Sequence, residues 1–239
     1  MHPYLHASSE ALASLDMLRA TRQLCEKLGV QHNRLFLTGY SQGGHATMAL
    51  QRLLESKHAD EFTVTASAPM AGPYNLSTSW SAWLAHPVFI TPAAMARLVV
   101  GCARWYGVQV KSVFRSKCDV LVGALLDGCH PQEAVVKGLP SKPQDLFLPE
   151  FLAGVASGRH PFHKALVANS VVDWTPRAPT RLYHARKDEV VPFHESEAAA
   201  AAMGQRGATV WVMDLGDVGH VAGFVPGLVA AKKWFDSVE

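Results

Sequence analysis

The chain has 239 residues and is 49% hydrophobic, enough for one globular domain with a sizeable core plus an insertion. Its 22 basic and 20 acidic residues leave a net charge of +2 with histidine neutral, which gives no electrostatic case for a nucleic-acid partner. No apolar run is long enough to span a bilayer, and the polar start at Ser8, Ser9 and Glu10 does not read as a signal peptide. As it stands, the sequence is expected to be cytoplasmic, or exported if the chain is an N-terminal truncation.

The first expected element is a helix of about 20 residues. It is capped by Ser8 or Ser9 and stopped by Gly29, with Leu15, Leu18, Cys25 and Leu28 on its apolar face. Residues 34–38 then form an apolar run that reads as a buried strand. Directly after it comes Gly39-Tyr40-Ser41-Gln42-Gly43-Gly44, followed by Ala46, Ala49, Leu50, Leu53 and Leu54 at helical spacing. Strand, Gly-x-Ser-x-Gly, helix is the context of a nucleophile elbow. A serine hydroxyl is a poor nucleophile unless it is exposed, oriented and beside a base, and a sharp strand-to-helix turn supplies the exposure. Gly39 and Gly43 are expected to keep side chains out of the crowded turn. The Gln42 N–H, at the start of the helix, is expected to face a developing oxyanion.

Residues 62–68 read as a second strand ending at Pro69, and 70–75 as a loop at the same edge of the sheet. Tyr40, Met70 and Tyr74 are the expected substrate-binding residues. Residues 76–177 break the α/β rhythm. They are rich in tryptophan, phenylalanine and boundary prolines, and read as a helical cap whose aromatics either bind an acyl or aryl group or only pack the cap. The core regions are accordingly expected at 1–75 and 178–239.

Residues 181–185 read as a strand running into Arg186-Lys187-Asp188-Glu189. A carboxylate just past a strand end stands at the elbow's edge of the sheet, so Asp188 is the expected acid; Asp214 and Asp217 are its rivals. A helix follows over 195–203. Residues 209–213 form the last strand, and His220 sits on the glycine-bounded loop after it, before a closing helix that Pro226 begins. Serine, acid, histidine in that order match a hydrolase triad, in which His220 takes and returns the Ser41 proton while Asp188 orients it. There is no HExxH or Cys-x-x-Cys, so neither a metal nor another cofactor is expected. The four cysteines, Cys25, Cys102, Cys118 and Cys129, are expected as reduced thiols.

In these motifs the chain resembles the α/β-hydrolase superfamily, and most closely its secretory-lipase-like esterases. Gly39–Gly44, the 186–192 segment, Gly219-His220, the 2–6 segment and 173–176 carry the likeness. The resemblance implies a mostly parallel sheet with a helical cap and ester hydrolysis through an acyl-enzyme. It also implies strands ahead of the first helix, and a loop there that supplies a second oxyanion donor; this chain begins almost at that helix. The elbow strand is therefore expected at a bare sheet edge, covered in a homodimer by a second copy. The leading functional expectation is a serine carboxylesterase acting on small to medium acyl esters. The alternatives are a lipase for longer chains and a non-catalytic binding or assembly protein on a shortened hydrolase scaffold.

Overall fold

The computed structural model describes residues 2–31 and 33–238. In chain order its elements are α1 (Ala7–Leu28), β1 (Leu35–Tyr40), α2 (Gln42–Lys57), β2 (Val64–Met70), α3 (Leu76–Ala85), α4 (Thr91–Tyr106), α5 (Cys118–Leu125), α6 (Gln132–Gly138), α7 (Pro143–Leu146), α8 (Pro149–Ala156), α9 (Pro161–Asn169), β3 (Thr180–His184), α10 (His194–Gly204), β4 (Val210–Asp214) and α11 (Phe224–Ser237). The chain divides into two compact units. One is Ala7–Asn75 with Ser170–Glu239; the other is Met1–His6 with Leu76–Asn169. The first residues thus go with the helical segment, and the sheet unit resumes at Ser170.

Among the described residues the sheet unit holds four strands in the order β1-β2-β3-β4, every neighbouring pair parallel. Parallel strands need crossovers, and sheets built of them are covered on both faces. Ala66, Ala68 and Met70 of β2 and Tyr183 of β3 pack with Trp234 and Phe235 of α11. Leu182, the next residue along β3, turns the other way, into a cluster with Met48 of α2 and Ala199 and Met203 of α10. The alternation of Leu182 and Tyr183 is the period of two that strand geometry imposes. The alanines of β2 let helices approach the sheet closely.

Several boundaries differ from the sequence reading. Helix α1 starts at Ala7, so Ser8 and Ser9 lie inside its first turn and cannot cap it; Gly29 does stop it, at φ 65°. Of the expected apolar face only Leu15 is fully buried: Cys25 is half-exposed and Leu28 exposed. Strand β2 starts at Val64 and continues through Pro69 to Met70, because Pro69 and Met70 keep register with Gly39 and Tyr40 of β1. All four cysteines are free thiols.

The helical unit is built around an aromatic cluster. Trp80 of α3 meets Phe162 at 5.0 Å, Phe147 at 5.7 Å and Phe151 edge-on at 6.0 Å. Phe114 stacks on Phe147 at 5.2 Å. Offset and edge-to-face arrangements suit the ring quadrupoles better than a direct sandwich. In the same unit His6 stacks on Trp105 at 4.3 Å.

Candidate active site

Three chain segments converge at the C-terminal edge of the sheet: the turn after β1, the loop after β3 and the loop after β4. This is the end of a parallel α/β sheet where ligands bind. Ser41 occupies the turn with φ 58° and ψ −119°, a conformation that a side chain bearing a Cβ rarely adopts. The turn is held in place from both sides. The Ser41 N–H donates to the Met70 carbonyl at 2.9 Å, and the Ser41 carbonyl accepts from Gly44 N–H at 2.9 Å and His45 N–H at 3.2 Å.

The glycines of the turn divide their roles differently from the sequence reading. A Cβ on Gly39 would lie 2.3 Å from the Gly43 carbonyl oxygen, and one on Gly44 would lie 2.4 Å from the Met70 oxygen. A Cβ on Gly43 would meet nothing within 4 Å. Close packing therefore requires Gly39 and Gly44, and Gly43 is not needed to keep the turn clear.

His220 joins the other two expected residues. Its Nε2 lies 2.9 Å from Ser41 Oγ and its Nδ1 lies 2.6 Å from Asp188 Oδ2. A carboxylate only accepts, so Nδ1 carries the hydrogen and Nε2 is left to accept the Ser41 hydroxyl. The His220 backbone is fixed as well: its N–H donates to Glu189 Oε2 at 3.0 Å, and its carbonyl accepts the Tyr40 hydroxyl at 2.5 Å. Burial raises the Tyr40 phenol, and the charges of Asp188 and Glu189 raise it further, so it stays a donor.

The Asp188 carboxylate is buried and accepts on every side. Oδ1 takes the N–H groups of Val190 at 2.9 Å and Val191 at 2.8 Å. Oδ2 takes His220 at 2.6 Å and faces His184 Nε2 at 3.3 Å. Burial alone raises a carboxyl, but the hydrogen bonds from His184 and His220, with the His220 charge and Val191 N–H, outweigh it and lower Asp188 to about 2. The rival acids are engaged elsewhere: Asp214 pairs with Arg186 and the Gly216 N–H, and Asp217 pairs with Lys187.

Two expected substrate-binding residues need correcting. Met70 and Tyr74 are fully buried: Met70 packs with Ala66, Tyr183 and Trp234, and Tyr74 with Met48, Val171 and Leu182. Neither side chain offers a face to a ligand. Tyr40 does border the site, its ring 5.2 Å from that of His220. Gln42 begins α2 beside Ser41, and its side-chain amide donates to Glu10 Oε1 at 2.8 Å. Sequence reasoning missed Glu10, Glu189 and His184, and it treated His45 as merely opening the helix. His45 is fully buried, with Nδ1 2.7 Å from Glu10 Oε2. No group of three or more metal-ligating side chains occurs among the described residues.

Solved structures share this architecture. A protein described as a hydrolase from Legionella pneumophila superposes with a TM-score of 0.93 at 26% identity, over 100% of this chain and 66% of its own. The rice cell wall degrading esterase LipA from Xanthomonas oryzae, in a ligand-bound form, superposes at 0.91 and 29% identity, over 100% and 68%. The chain has the α/β-hydrolase fold. Candida antarctica lipase A shares that fold at a TM-score of 0.76 and 21% identity, over 99% of this chain and 56% of the lipase. This α/β-hydrolase chain thus spans about two thirds or less of the length of these structures. No protein-family model matches it, and no curated protein matches it by sequence.

Proposed function

We propose that the protein is a serine carboxylesterase acting on small to medium acyl esters through an acyl-enzyme. One observation carries the reading: His220 bridges Ser41 Oγ at 2.9 Å and the Asp188 carboxylate at 2.6 Å, in the tautomer that a general base needs. His220 Nε2 takes the hydroxyl proton as Ser41 Oγ attacks the ester carbonyl carbon. The oxyanion that forms faces the Gln42 N–H. His220 then returns the proton to the departing alkoxide, leaving the acyl group on Ser41. In the second half His220 activates a water molecule, which releases the acid and restores Ser41. Asp188 stabilises the imidazolium throughout and stays ionised.

The likeness to LipA, an esterase, supports the ester as substrate. The test is hydrolysis of p-nitrophenyl acetate, butyrate and palmitate by wild type and Ser41→Ala, together with labelling by a fluorophosphonate. Serine-dependent turnover that falls with acyl length supports the reading. No turnover above Ser41→Ala in folded protein rejects it in favour of a binding or assembly role.

Action on longer acyl chains is the second reading. Val221, Phe224 and Val225 are exposed on the segment after His220 and supply apolar surface beside the base. Palmitate turnover at or above the acetate rate would select it. We further propose that residues 76–169 act as the cap, and that the chain forms a homodimer through β1. Among the described residues, no strand pairs with the outer edge of β1. A monomer on size-exclusion chromatography rejects the dimer.

A further inference from the structure

We propose that His184 is a positioning residue of the same site, holding the Asp188 carboxylate that orients His220. The inference deepens the esterase reading and rests on it.

His184 is the last residue of β3 and is fully buried. Its ring is engaged at both nitrogens: Nδ1 lies 2.7 Å from Ser196 Oγ, and Nε2 lies 2.8 Å from the Val191 carbonyl oxygen and 3.3 Å from Asp188 Oδ2. Phe193 packs edge-on at 5.6 Å. Both neighbours of Nε2 are acceptors, so Nε2 carries a hydrogen. In the neutral ring Nδ1 then accepts the Ser196 hydroxyl.

That tautomer makes His184 a clasp on the acid loop. Val191 is held through both backbone groups: its N–H goes to Asp188 Oδ1 and its carbonyl to His184. Asp188 Oδ2, which accepts from His220 at 2.6 Å, lies 3.3 Å from the same His184 nitrogen. With Val190 and Val191 on Oδ1 and His220 on Oδ2, the carboxylate accepts three N–H groups and has His184 Nε2 3.3 Å away, so it cannot turn about its Cβ–Cγ bond without breaking several of these contacts. Ser196, on α10, anchors the far side of the ring. The direction of the His220 Nδ1–H bond, and through it the aim of Nε2 at Ser41, depends on this clasp. A residue that merely filled space at the end of β3 would need neither ring nitrogen.

The test compares wild type with His184→Leu, His184→Gln and Ser196→Ala in the full chain. It reads kcat and KM on p-nitrophenyl acetate, the low-field proton NMR signal of the His220–Asp188 hydrogen bond, and folding by circular dichroism. Misplacing a catalytic group by about 1 Å costs on the order of 100-fold in rate, so kcat of His184→Leu is expected to fall by roughly 10- to 100-fold with KM unchanged. The low-field signal should shift or disappear. His184→Gln keeps a side-chain N–H and should recover most of kcat and the signal; Ser196→Ala should fall between. A folded His184→Leu with wild-type kcat and signal overturns the proposal. If His184→Leu does not fold, Ser196→Ala decides, and an unchanged signal and kcat there overturn it. Should wild type hydrolyse no ester, the esterase reading fails, while the proton signal still reports whether His184 holds Asp188.

Discussion

Glu10 Oε2 lies 2.7 Å from His45 Nδ1, with both side chains buried, and its other oxygen accepts the Gln42 side-chain amide at 2.8 Å. One carboxylate of α1 thereby grips two residues in the first turn of α2, next to Ser41. Both Gln42, the proposed oxyanion donor, and His45, whose N–H binds the Ser41 carbonyl, are held by it.

Glu10→Ala should therefore destabilise the fold and slow turnover together. Leaving the buried His45 Nδ1 and the Gln42 amide without their acceptor costs on the order of 1–3 kcal/mol. Urea unfolding measures the stability loss. A fall in kcat on p-nitrophenyl acetate, under conditions where the variant stays folded, measures the loosened turn. Full stability in Glu10→Ala would mean that the α1 contact holds nothing.

Asp188→Asn should keep the geometry and lose the chemistry. The amide can donate to His220 Nδ1, which leaves Nε2 protonated and unable to accept the Ser41 proton. A loss of this kind is on the order of 10⁴-fold in kcat. Fluorophosphonate labelling should slow in parallel. Asp214→Asn and Asp217→Asn, whose carboxylates pair with Arg186 and Lys187, should leave turnover close to wild type.

Asp188 also sets an acid limit on stability. Its carboxyl is lowered from the ordinary value of 3.8 to about 2, so the folded state favours the ionised form. The corresponding stabilisation is present in full above about pH 4 and is lost as pH falls through about 2. Its size is about 2 kcal/mol. Denaturant midpoints recorded from pH 5 to 2 should fall for wild type, and this part of the fall should be missing in Asp188→Asn.

The serine turn and the proposed acid and base are legible because each sits at a fixed place relative to a local element: Ser41 between strand and helix, Asp188 past β3, His220 past β4. The supporting residues leave no such trace. Glu10 meets His45 across 35 positions, and His184 meets Ser196 only because the loop after β3 brings α10 back beside the strand end. Met70 and Tyr74 show the opposite failure. A methionine at a strand end and a tyrosine in the next loop have one spelling whether they face a pocket or the core, and only packing against Trp234 and Val171 decides. The same holds for α1: Leu15, Leu18, Cys25 and Leu28 predict a buried face, yet Leu28 is exposed and Cys25 half-exposed.

The two neighbouring glycines of the turn give a direct test of this packing. Both lie in the first turn of α2, where alanine favours a helix by about 1 kcal/mol over glycine. A Cβ at Gly43 meets open space, so Gly43→Ala should fold and hydrolyse as wild type or melt slightly higher. A Cβ at Gly44 strikes the Met70 carbonyl oxygen, which is backbone and cannot swing aside, and the same oxygen accepts the Ser41 N–H. Gly44→Ala must therefore push β2 and α2 apart at the point that holds Ser41. It should lower both the melting temperature and kcat, with the loss of kcat present even at temperatures where the variant is fully folded. Equal behaviour of the two alanine variants would mean that the contact between Gly44 and Met70 does not hold the serine turn.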